Sequence, residues 1–410
     1  MNIQKKTVCS YFLSCINPLM GLIIGFFSMT KQNSKSIITL ISIIVFIYSA
    51  RVPPLQDLYR RYWDTYLSYN SSTTIYEALT GRVDFLFYAN SLFFYKLNIP
   101  FYIIPALYSA VSVYFILTTL MSALSRIPDF SSKKRYALSF LTLFSFINII
   151  SIALGLRFGL AVALTVRGVG CLYFEQKKVK SIIFLFAACL MHFSMLGIVF
   201  CILIASLIKL NKLQVFILSL LFYLLSSFVV PLILSKFNFW GLSRYVLAGY
   251  VEGKFSALPG NLNGMIVMIY RYIPMTLFLY FYLRRKTYFP DYENFIGVFL
   301  IFCFSLSLSV SAFNRFFAQT GIFFVVVNYF ITKQYGIKKS IANQVIIMLV
   351  ITQMLFNNIY VMRRAILLGD MWYSLILPMP FILTLSTDRF NNYMKEIDSD
   401  GEWILNRMEN

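Results

Sequence analysis

The residues of this chain best suited to chemistry are arginines at the ends of apolar segments. Arg157 lies between two such segments and Arg315 begins another. A guanidinium group binds two phosphate oxygens at once and keeps its proton in apolar surroundings. Several arginines converging on one outer cavity would bind a diphosphate, and those predicted for this role are Arg157, Arg244, Arg315 and Arg51. The alternative is that each arginine reaches the membrane surface or pairs with acidic residues of the outer loops.

His192, in the segment LMHFS, is the only histidine of the chain. An ionisable side chain within a membrane segment usually faces protein or water and marks a functional site. Imidazole groups transfer protons near neutral pH, so we predict that His192 serves a hydroxyl group as a base or as an orienting group. A structural histidine with satisfied hydrogen bonds is the alternative.

A loop over residues 51–84 contains four arginines and four acidic residues. A carboxylate there can act as a base or orient a hydroxyl. The predicted catalytic residues are His192, Asp57 and Arg157. Tyrosine rings stack on sugars, although Tyr and Trp also collect at membrane interfaces for no functional reason. The predicted sugar contacts are Tyr59, Tyr62 and Asp84 of this loop and Tyr245 of a second outer loop at about 236–262.

The composition shows that membrane helices must position these residues. The 410 residues are 59% hydrophobic and 13% charged, with a mean hydropathy of +0.73, whereas soluble domains carry about 25% charged residues. A soluble protein is therefore excluded. The net charge of +20 does not predict nucleic-acid binding, because Lys and Arg accumulate in the cytoplasmic loops of membrane proteins. The six cysteines lie singly, so we expect no metal and no cofactor.

A helix needs about 20 mostly apolar residues to cross a membrane, and the sequence predicts about eleven spans. They lie at about 11–30, 36–50, 99–123, 135–155, 157–174, 213–235, 263–283, 293–312, 315–332, 340–361 and 371–386. The run 181–208 would be about 42 Å long as one helix, so it predicts either two half-helices meeting near His192 and Ser194 or one tilted span. Residues 85–97 predict a short interfacial or re-entrant helix.

The basic loops predict the orientation, because Lys and Arg are retained on the cytoplasmic side. These loops contain Lys31 and Lys35, residues 126–135, residues 177–180, Lys209 and Lys212, residues 284–286, and Lys333, Lys338 and Lys339. Placing all of these loops inside requires the run 181–208 to enter and return as a hairpin. The N-terminus is then outside, with Lys5 and Lys6 against the rule, and the tail 387–410 is cytoplasmic. We therefore expect one polytopic membrane domain over residues 1–386, followed by this tail.

Residues 156–196 carry the clearest family pattern. They begin with an arginine and a small-residue helix, turn at lysines, and continue as an apolar helix ending in His-x-Ser. This order resembles the EpsG family of bacterial polysaccharide-biosynthesis membrane proteins, related in function to the Wzy O-antigen and capsule polymerases. The matching residues are Arg157, Ala161, Lys177, Lys178, His192 and Ser194, with Arg51, Asp57, Asp84-Phe85-Leu86-Phe87, Arg244-Tyr245 and Arg315 elsewhere.

The first loop departs from that pattern. Pro53-Pro54 replace the expected glycine-containing approach, and D-x-Y-x-x-Y occurs twice, from Asp57 and from Asp64. Both aspartates therefore stay open as the family's acidic residue.

The resemblance implies a Wzy-like, GT-C-like helical bundle in the bacterial cytoplasmic membrane. It also implies a metal-independent polymerase that transfers a growing glycan from undecaprenyl diphosphate to a sugar hydroxyl of a second lipid-linked repeat unit, at the outer face. The implied partners are the undecaprenyl-diphosphate-linked oligosaccharide, the lipid bilayer and a chain-length regulator protein. Two other classes stay open, namely a lipid-linked glycan flippase or transporter and a membrane acyltransferase that uses His192.

Overall fold

The computed structural model of the chain describes residues 3–127, 133–236, 262–333, 339–379 and 387–404. Within these ranges the chain is helical, and its extended pairings are two isolated bridges, Thr287 with Thr332 and Ile397 with Trp403. The predicted all-α class is confirmed. The chain divides into two compact units, the first formed by Met1–Met195 with Gln344–Asn410 and the second by Leu196–Asn343.

The first unit begins with eleven named α-helices, which include those around the candidate residues. In chain order they are α1 (Ile3–Ile16), α2 (Pro18–Ser28), α3 (Ser34–Ser49), α4 (Asp57–Tyr62), α5 (Ile75–Leu79), α6 (Phe85–Lys96), α7 (Ile103–Ser125), α8 (Lys133–Ser145), α9 (Ile149–Leu154), α10 (Leu156–Tyr173) and α11 (Lys178–Met191). A π-helical turn, Trp63–Leu67, continues α4.

The remaining helices follow in the second unit and in the C-terminal part of the first. They are α12 (Leu196–Leu207), α13 (Lys212–Lys236), α14 (Leu262–Arg284), α15 (Pro290–Ser305), α16 (Val310–Phe313), α17 (Gly321–Phe330), α18 (Lys339–Thr352), α19 (Arg363–Gly369), α20 (Tyr373–Ile376) and α21 (Thr387–Lys395). π-Helical turns, Asn314–Thr320 and Gln353–Tyr360, precede α17 and follow α18.

Five helical segments of the described residues are long and apolar enough to cross a membrane. They are Ile103–Ser125, Leu156–Tyr173, Leu262–Arg284, Val310–Phe330 and Ile341–Tyr360. Shorter apolar helices accompany them, so the chain is a multi-pass membrane protein. The count of eleven spans stays a prediction, and two of its members need correction.

The predicted span at 11–30 is not one helix. It breaks at Asn17, whose side chain accepts a hydrogen bond from the Met20 N–H at 3.0 Å and so begins α2. Helices α1 and α2 pack so closely that a Cβ on Gly21 would lie 2.6 Å from the backbone nitrogen of Ser14. The chain therefore turns back on itself here, because Asn17 and the proline after it end one helix and begin the next.

The predicted span at 371–386 does not cross as one straight helix either. Such a helix would separate its ends by about 24 Å. In the structure the flanking residues Asp370 and Arg389 form an ion pair at 2.9 Å, and α20 is only four residues long. Residues 380–386 lie outside the described ranges, and the residues that flank the run lie together.

The run 181–208 is broken, as one of the two sequence interpretations predicts. Helix α11 ends at Met191, His192 is extended with φ −154° and ψ 114°, and a 3₁₀ turn precedes α12. Two helices rather than one tilted span are therefore confirmed. Their arrangement as a hairpin stays a prediction, because α11 belongs to the first unit and α12 to the second.

Small residues on α10 bring it close to two neighbouring helices. A Cβ on Gly170 would lie 2.6 Å from the Thr119 side chain of α7, and one on Gly168 would lie 2.9 Å from Leu185 of α11. Small residues at helix interfaces allow such close approach in membranes. As a result, the first turn of α10 and the last turn of α11 are held at the same end of the unit.

The first unit has two distinct ends along α7. At one end the Lys31 ammonium group donates to the Ser125 carbonyl at 3.4 Å, and Ser122 donates to Glu175 at 2.7 Å. At the other end lies the first loop, where the Tyr62 and Phe101 rings are 5.0 Å apart. Within the first unit, the Lys31 loop and the turn at Glu175 therefore lie at the end opposite to the first loop.

The C-terminal segment lies at the same end as the first loop. The Gln56 N–H donates to the Gly401 carbonyl at 2.8 Å, and the Phe390 ring lies 5.2 Å from Tyr62. The sequence analysis places the loop outside and the tail inside. These two placements cannot both hold.

Candidate functional site

Arg157 joins two carboxylates of the first loop. Its Nη1 donates to Asp84 at 2.5 Å and its Nη2 lies 3.5 Å from Asp57. The Asp84 and Arg157 side chains are 6% and 18% exposed, so this pair is shielded from water. The pairing with acidic loop residues, left open by the sequence, is what the structure shows for Arg157.

Each member of this group lies at a helix start. Arg157 is the second residue of α10, Asp57 is the first residue of α4, and Asp84 immediately precedes α6. Carboxylates are favoured near helix N-termini, where free N–H groups and the helix dipole attract negative charge. The break after α9 at Gly155 lets α10 begin beside the loop.

His192 lies next to this group through its neighbour in sequence. The Phe193 N–H donates to Asp84 Oδ1 at 3.3 Å, which fixes the break between α11 and α12 on the Arg157–Asp84 pair. The His192 ring is 9% exposed and packs edge-on against Phe158 at 5.5 Å. The structure therefore brings together all three predicted catalytic residues, His192, Asp57 and Arg157, around Asp84.

The Nδ1 atom of His192 acts as an acceptor. The Ser194 N–H donates to it at 3.4 Å, and the Ser194 Oγ lies 2.8 Å away. A backbone nitrogen can only donate, so Nδ1 is the acceptor in this contact. The tautomer with its proton on Nε2 fits this contact.

Arg61 extends the group towards a second aspartate. It donates to Asp57 at 3.2 Å and to Asp64 at 2.7 Å, and also to the Tyr88 hydroxyl at 2.7 Å. Arg82 adds a contact to Asp64 at 3.6 Å. Of the two D-x-Y-x-x-Y repeats, the first thus supplies the aspartate that meets Arg157, and the second supplies one that meets Arg61 and Arg82.

Burial is the largest influence on the pKa of Asp84. It raises the pKa of this carboxyl above its ordinary value, while Arg157 and the Phe193 N–H act in the opposite direction. Asp84 is therefore a buried acid that depends on Arg157 for its charge.

The predicted sugar contacts are largely covered by protein. Tyr59 is 8% exposed, and the Tyr62 ring packs against Phe101 at 5.0 Å and Phe390 at 5.2 Å. Asp84 is buried with Arg157. These side chains hold the first loop together in the described state, and their contact with a sugar stays a prediction.

A polar cavity of about 290 Å³ opens beside this group. Its walls include Asp64, Tyr69, Asn70, Glu77 and Arg82. Hydroxyl, amide and carboxylate groups of this kind form hydrogen bonds with sugar hydroxyls. The cavity and Arg61 were not identified from the sequence as parts of a site, because only the fold of the loop reveals them.

The arginines predicted for the diphosphate are distributed differently. Arg51 is 6% exposed, and its Nε and Nη1 atoms have no hydrogen-bond partner among the described residues. Arg315 lies in the second unit, and Arg244, like Tyr245, lies outside the described residues. Convergence of the predicted arginines on one diphosphate therefore stays a prediction.

Among the described residues, no group of three or more His, Cys, Asp and Glu side chains is placed to hold a metal ion.

The model of the EpsG family matches residues 34–378, nearly the whole chain. No curated protein and no solved structure matches the chain.

Proposed function

Because the chain belongs to the EpsG family, whose members are Wzy-type polymerases, we propose that it extends a polysaccharide at the outer face of the bacterial cytoplasmic membrane. It transfers a growing glycan from undecaprenyl diphosphate to a sugar hydroxyl of a lipid-linked repeat unit. The observation that supports this proposal is the Asp57–Arg157–Asp84 group beside His192. Such a group can accept a proton from a hydroxyl and stabilise an anionic leaving group.

The reaction needs a base for the acceptor hydroxyl. Asp57 serves as this base, because its side chain is 38% exposed whereas Asp84 is 6% exposed. The acceptor oxygen bonds to the anomeric carbon of the donor, the bond from that carbon to phosphate breaks, and the proton passes to Asp57. Arg61 holds the carboxylate in place through its contact at 3.2 Å.

His192 orients rather than deprotonates. Its Nδ1 accepts from Ser194, so the neutral ring presents Nε2–H to an oxygen of the acceptor or of the leaving diphosphate. The acceptor sugar occupies the polar cavity beside Asp64.

Guanidinium groups stabilise the diphosphate as it leaves, without a metal ion. Arg157 is shared with two carboxylates, and its longer contact at 3.5 Å is the one that turns to a phosphate oxygen. Arg51, Arg244 and Arg315 supply the remaining positive charge, and a chain-length regulator acts as a partner protein.

Glycan analysis of a strain without this protein tests the proposal. If the protein is a polymerase, the strain without it accumulates single repeat units on undecaprenyl diphosphate. These units face outward and are cleaved by added glycosidases. The same units trapped inside would identify a flippase and contradict the proposal, as would unchanged long-chain polymer.

A further inference from the structure

Arg51 is a buried cation whose described surroundings do not satisfy it. It is 6% exposed, and its Nε and Nη1 atoms have no hydrogen-bond partner among the described residues. Burying a charged group is costly unless it is paired and hydrogen-bonded. Such a side chain indicates a missing anionic partner.

The C-terminal segment forms the other wall of this place. The groups whose charges act on Arg51 are Arg389, Tyr393, Asp370 and Tyr373, and burial together with Arg389 lowers the Arg51 pKa. Asp370 already accepts from Arg389 at 2.9 Å. The described ion pair of Asp370 is therefore with Arg389 and not with Arg51.

The backbone closes tightly around this pair of arginines. A Cβ on Gly369 would lie 2.5 Å from the Arg51 carbonyl, and Tyr393 donates to the Gly369 carbonyl at 3.0 Å. Arg389 Nε donates to the Tyr393 hydroxyl at 2.8 Å. Helix α21 is therefore fixed against the start of the first loop, with its arginine directed by specific contacts.

These contacts also place the C-terminal segment at one end of the first unit. Because Arg389 pairs with Asp370 and Gly401 meets Gln56, helix α21 and the residues after it lie at the same end of the first unit as Arg51. That is the end that carries Asp57 and Arg157.

We propose that the C-terminal segment lies outside the cytoplasm and that Arg51 and Arg389 together bind one phosphate group of the lipid-linked donor. Two forked guanidinium groups facing one anion match the oxygens of a phosphate. The ligand assignment rests on the proposed function, whereas the sidedness does not. A phosphate of a bilayer lipid has the same chemistry, so the test must separate the two sources.

Cysteine labelling tests the sidedness. We expect Ser399→Cys, in the exposed tail, to react with a membrane-impermeant maleimide in right-side-out vesicles as Ser72→Cys of the first loop does. Ser125→Cys, at the basic end, should react only in inverted vesicles, and the unaltered chain measures the background of its six cysteines. Labelling of Ser399→Cys only in inverted vesicles would overturn the proposal.

Binding of undecaprenyl diphosphate to the purified full-length protein tests the ligand. We expect Arg51→Met and Arg389→Gln each to lose about ten-fold or more in affinity, as for a charged hydrogen bond to phosphate. Arg364→Gln, at an exposed arginine of α19, is the matched control. Affinity unchanged in both variants would overturn the site, as would equal competition by phosphatidylglycerol, which would assign it to a bilayer lipid.

Thermal unfolding separates this role from a structural one. Without ligand, Arg51→Met should unfold no lower than the unaltered protein, because it removes a buried charge whose Nε and Nη1 are unsatisfied. With undecaprenyl diphosphate, only the unaltered protein and Arg364→Gln should gain stability. In cells, the deletion strain shows whether the protein is a polymerase, and the two site variants show whether the site is needed. If the deletion strain accumulates outward single repeats while both variants make normal polymer, the site is rejected and the polymerase proposal is retained.

Discussion

At the scale of single residues, three carboxylates of the first loop differ in how far water reaches them. The side chains of Asp57 and Asp64 are 38% and 34% exposed, whereas Asp84 is 6% exposed and paired with Arg157. A base that meets a substrate must be reachable, and a buried carboxylate must be paired. Asp57 and Asp84 therefore have different tasks although both contact the same arginine.

The two repeated aspartates provide a direct comparison. We expect Asp57→Asn to abolish polymer in the proposed reaction, since the amide cannot accept the hydroxyl proton. Asp64→Asn should keep polymer formation with weaker acceptor binding, because Asp64 lines the cavity. Lipid-linked glycans are separated by length in both strains at matched protein levels. Equal loss of polymer in the two strains would refute the assignment of the base.

Removing Arg157 should destabilise the protein. Arg157→Met leaves Asp84 buried without its cation, a change that costs about 3 to 5 kcal/mol for buried pairs. Adding Asp84→Asn should recover much of the loss, because the amide carries no charge. Unfolding of the purified variants in detergent measures both values, and a double variant no more stable than the single one would contradict the ion pair.

The cost of Arg157→Met should depend on pH. Burial already raises the Asp84 pKa, and loss of the guanidinium raises it further. An acid whose folded pKa exceeds its unfolded value favours the folded state at low pH, and that contribution is lost as pH rises through the folded pKa. We therefore expect a smaller destabilisation at pH 5 than at pH 8, and no such difference in the double variant.

At the scale of elements, apolar length alone misjudges two segments. The runs 11–30 and 371–386 are apolar enough to be predicted as spans, yet the first is a helical hairpin and the residues flanking the second form an ion pair. In both, the ends meet through hydrogen bonds or ion pairs that a hydropathy window cannot contain. The break at His192, by contrast, follows from a run too long for one crossing.

Close packing of α1 on α2 can be tested with two glycines. Gly21→Ala places a Cβ 2.6 Å from the Ser14 backbone, so we expect a loss of about 1 to 3 kcal/mol. Gly25→Ala meets its nearest atom, Ile37 Cγ2, at 3.4 Å and should stay within about 0.5 kcal/mol. Unfolding temperatures of both variants in the same detergent measure this, and the reverse order would reject the hairpin.

At the scale of the molecule, the hairpin also changes the predicted side of the N-terminus. Asn33 donates to the Thr7 hydroxyl at 3.0 Å, so the start of α1 lies beside the Lys31 loop. Lys5 and Lys6 then lie at the same end of the first unit as Lys31, so they no longer violate the charge rule. The predicted outside N-terminus is inconsistent with this contact.

This sidedness has a simple measurement. Lys5→Cys should be protected from an impermeant maleimide in right-side-out vesicles and labelled in inverted ones. Ser72→Cys, in the first loop, provides the opposite reference. Labelling of Lys5→Cys in right-side-out vesicles would show that the N-terminus is outside, in contradiction to the side inferred from the contact between Asn33 and Thr7.

The sequence by itself determined the class of the protein, its family and most of the candidate residues. Low charge and long apolar runs require a membrane, and the pattern over 156–196 contains Arg157 and His192 at a spacing set by two antiparallel helices. These are local properties, because each depends on residues that are close together in the sequence.

Only the tertiary structure decided which aspartate meets Arg157, how Asp84 joins His192 to the site, and where the C-terminal segment lies. The contacts concerned link residues 73 and 109 positions apart, and 345 between Gln56 and Gly401. Each depends on a side-chain geometry set by several helices together. Composition and spacing do not predict such contacts. Hydropathy measures how readily a segment is buried in lipid, but not which partner a buried charged side chain contacts.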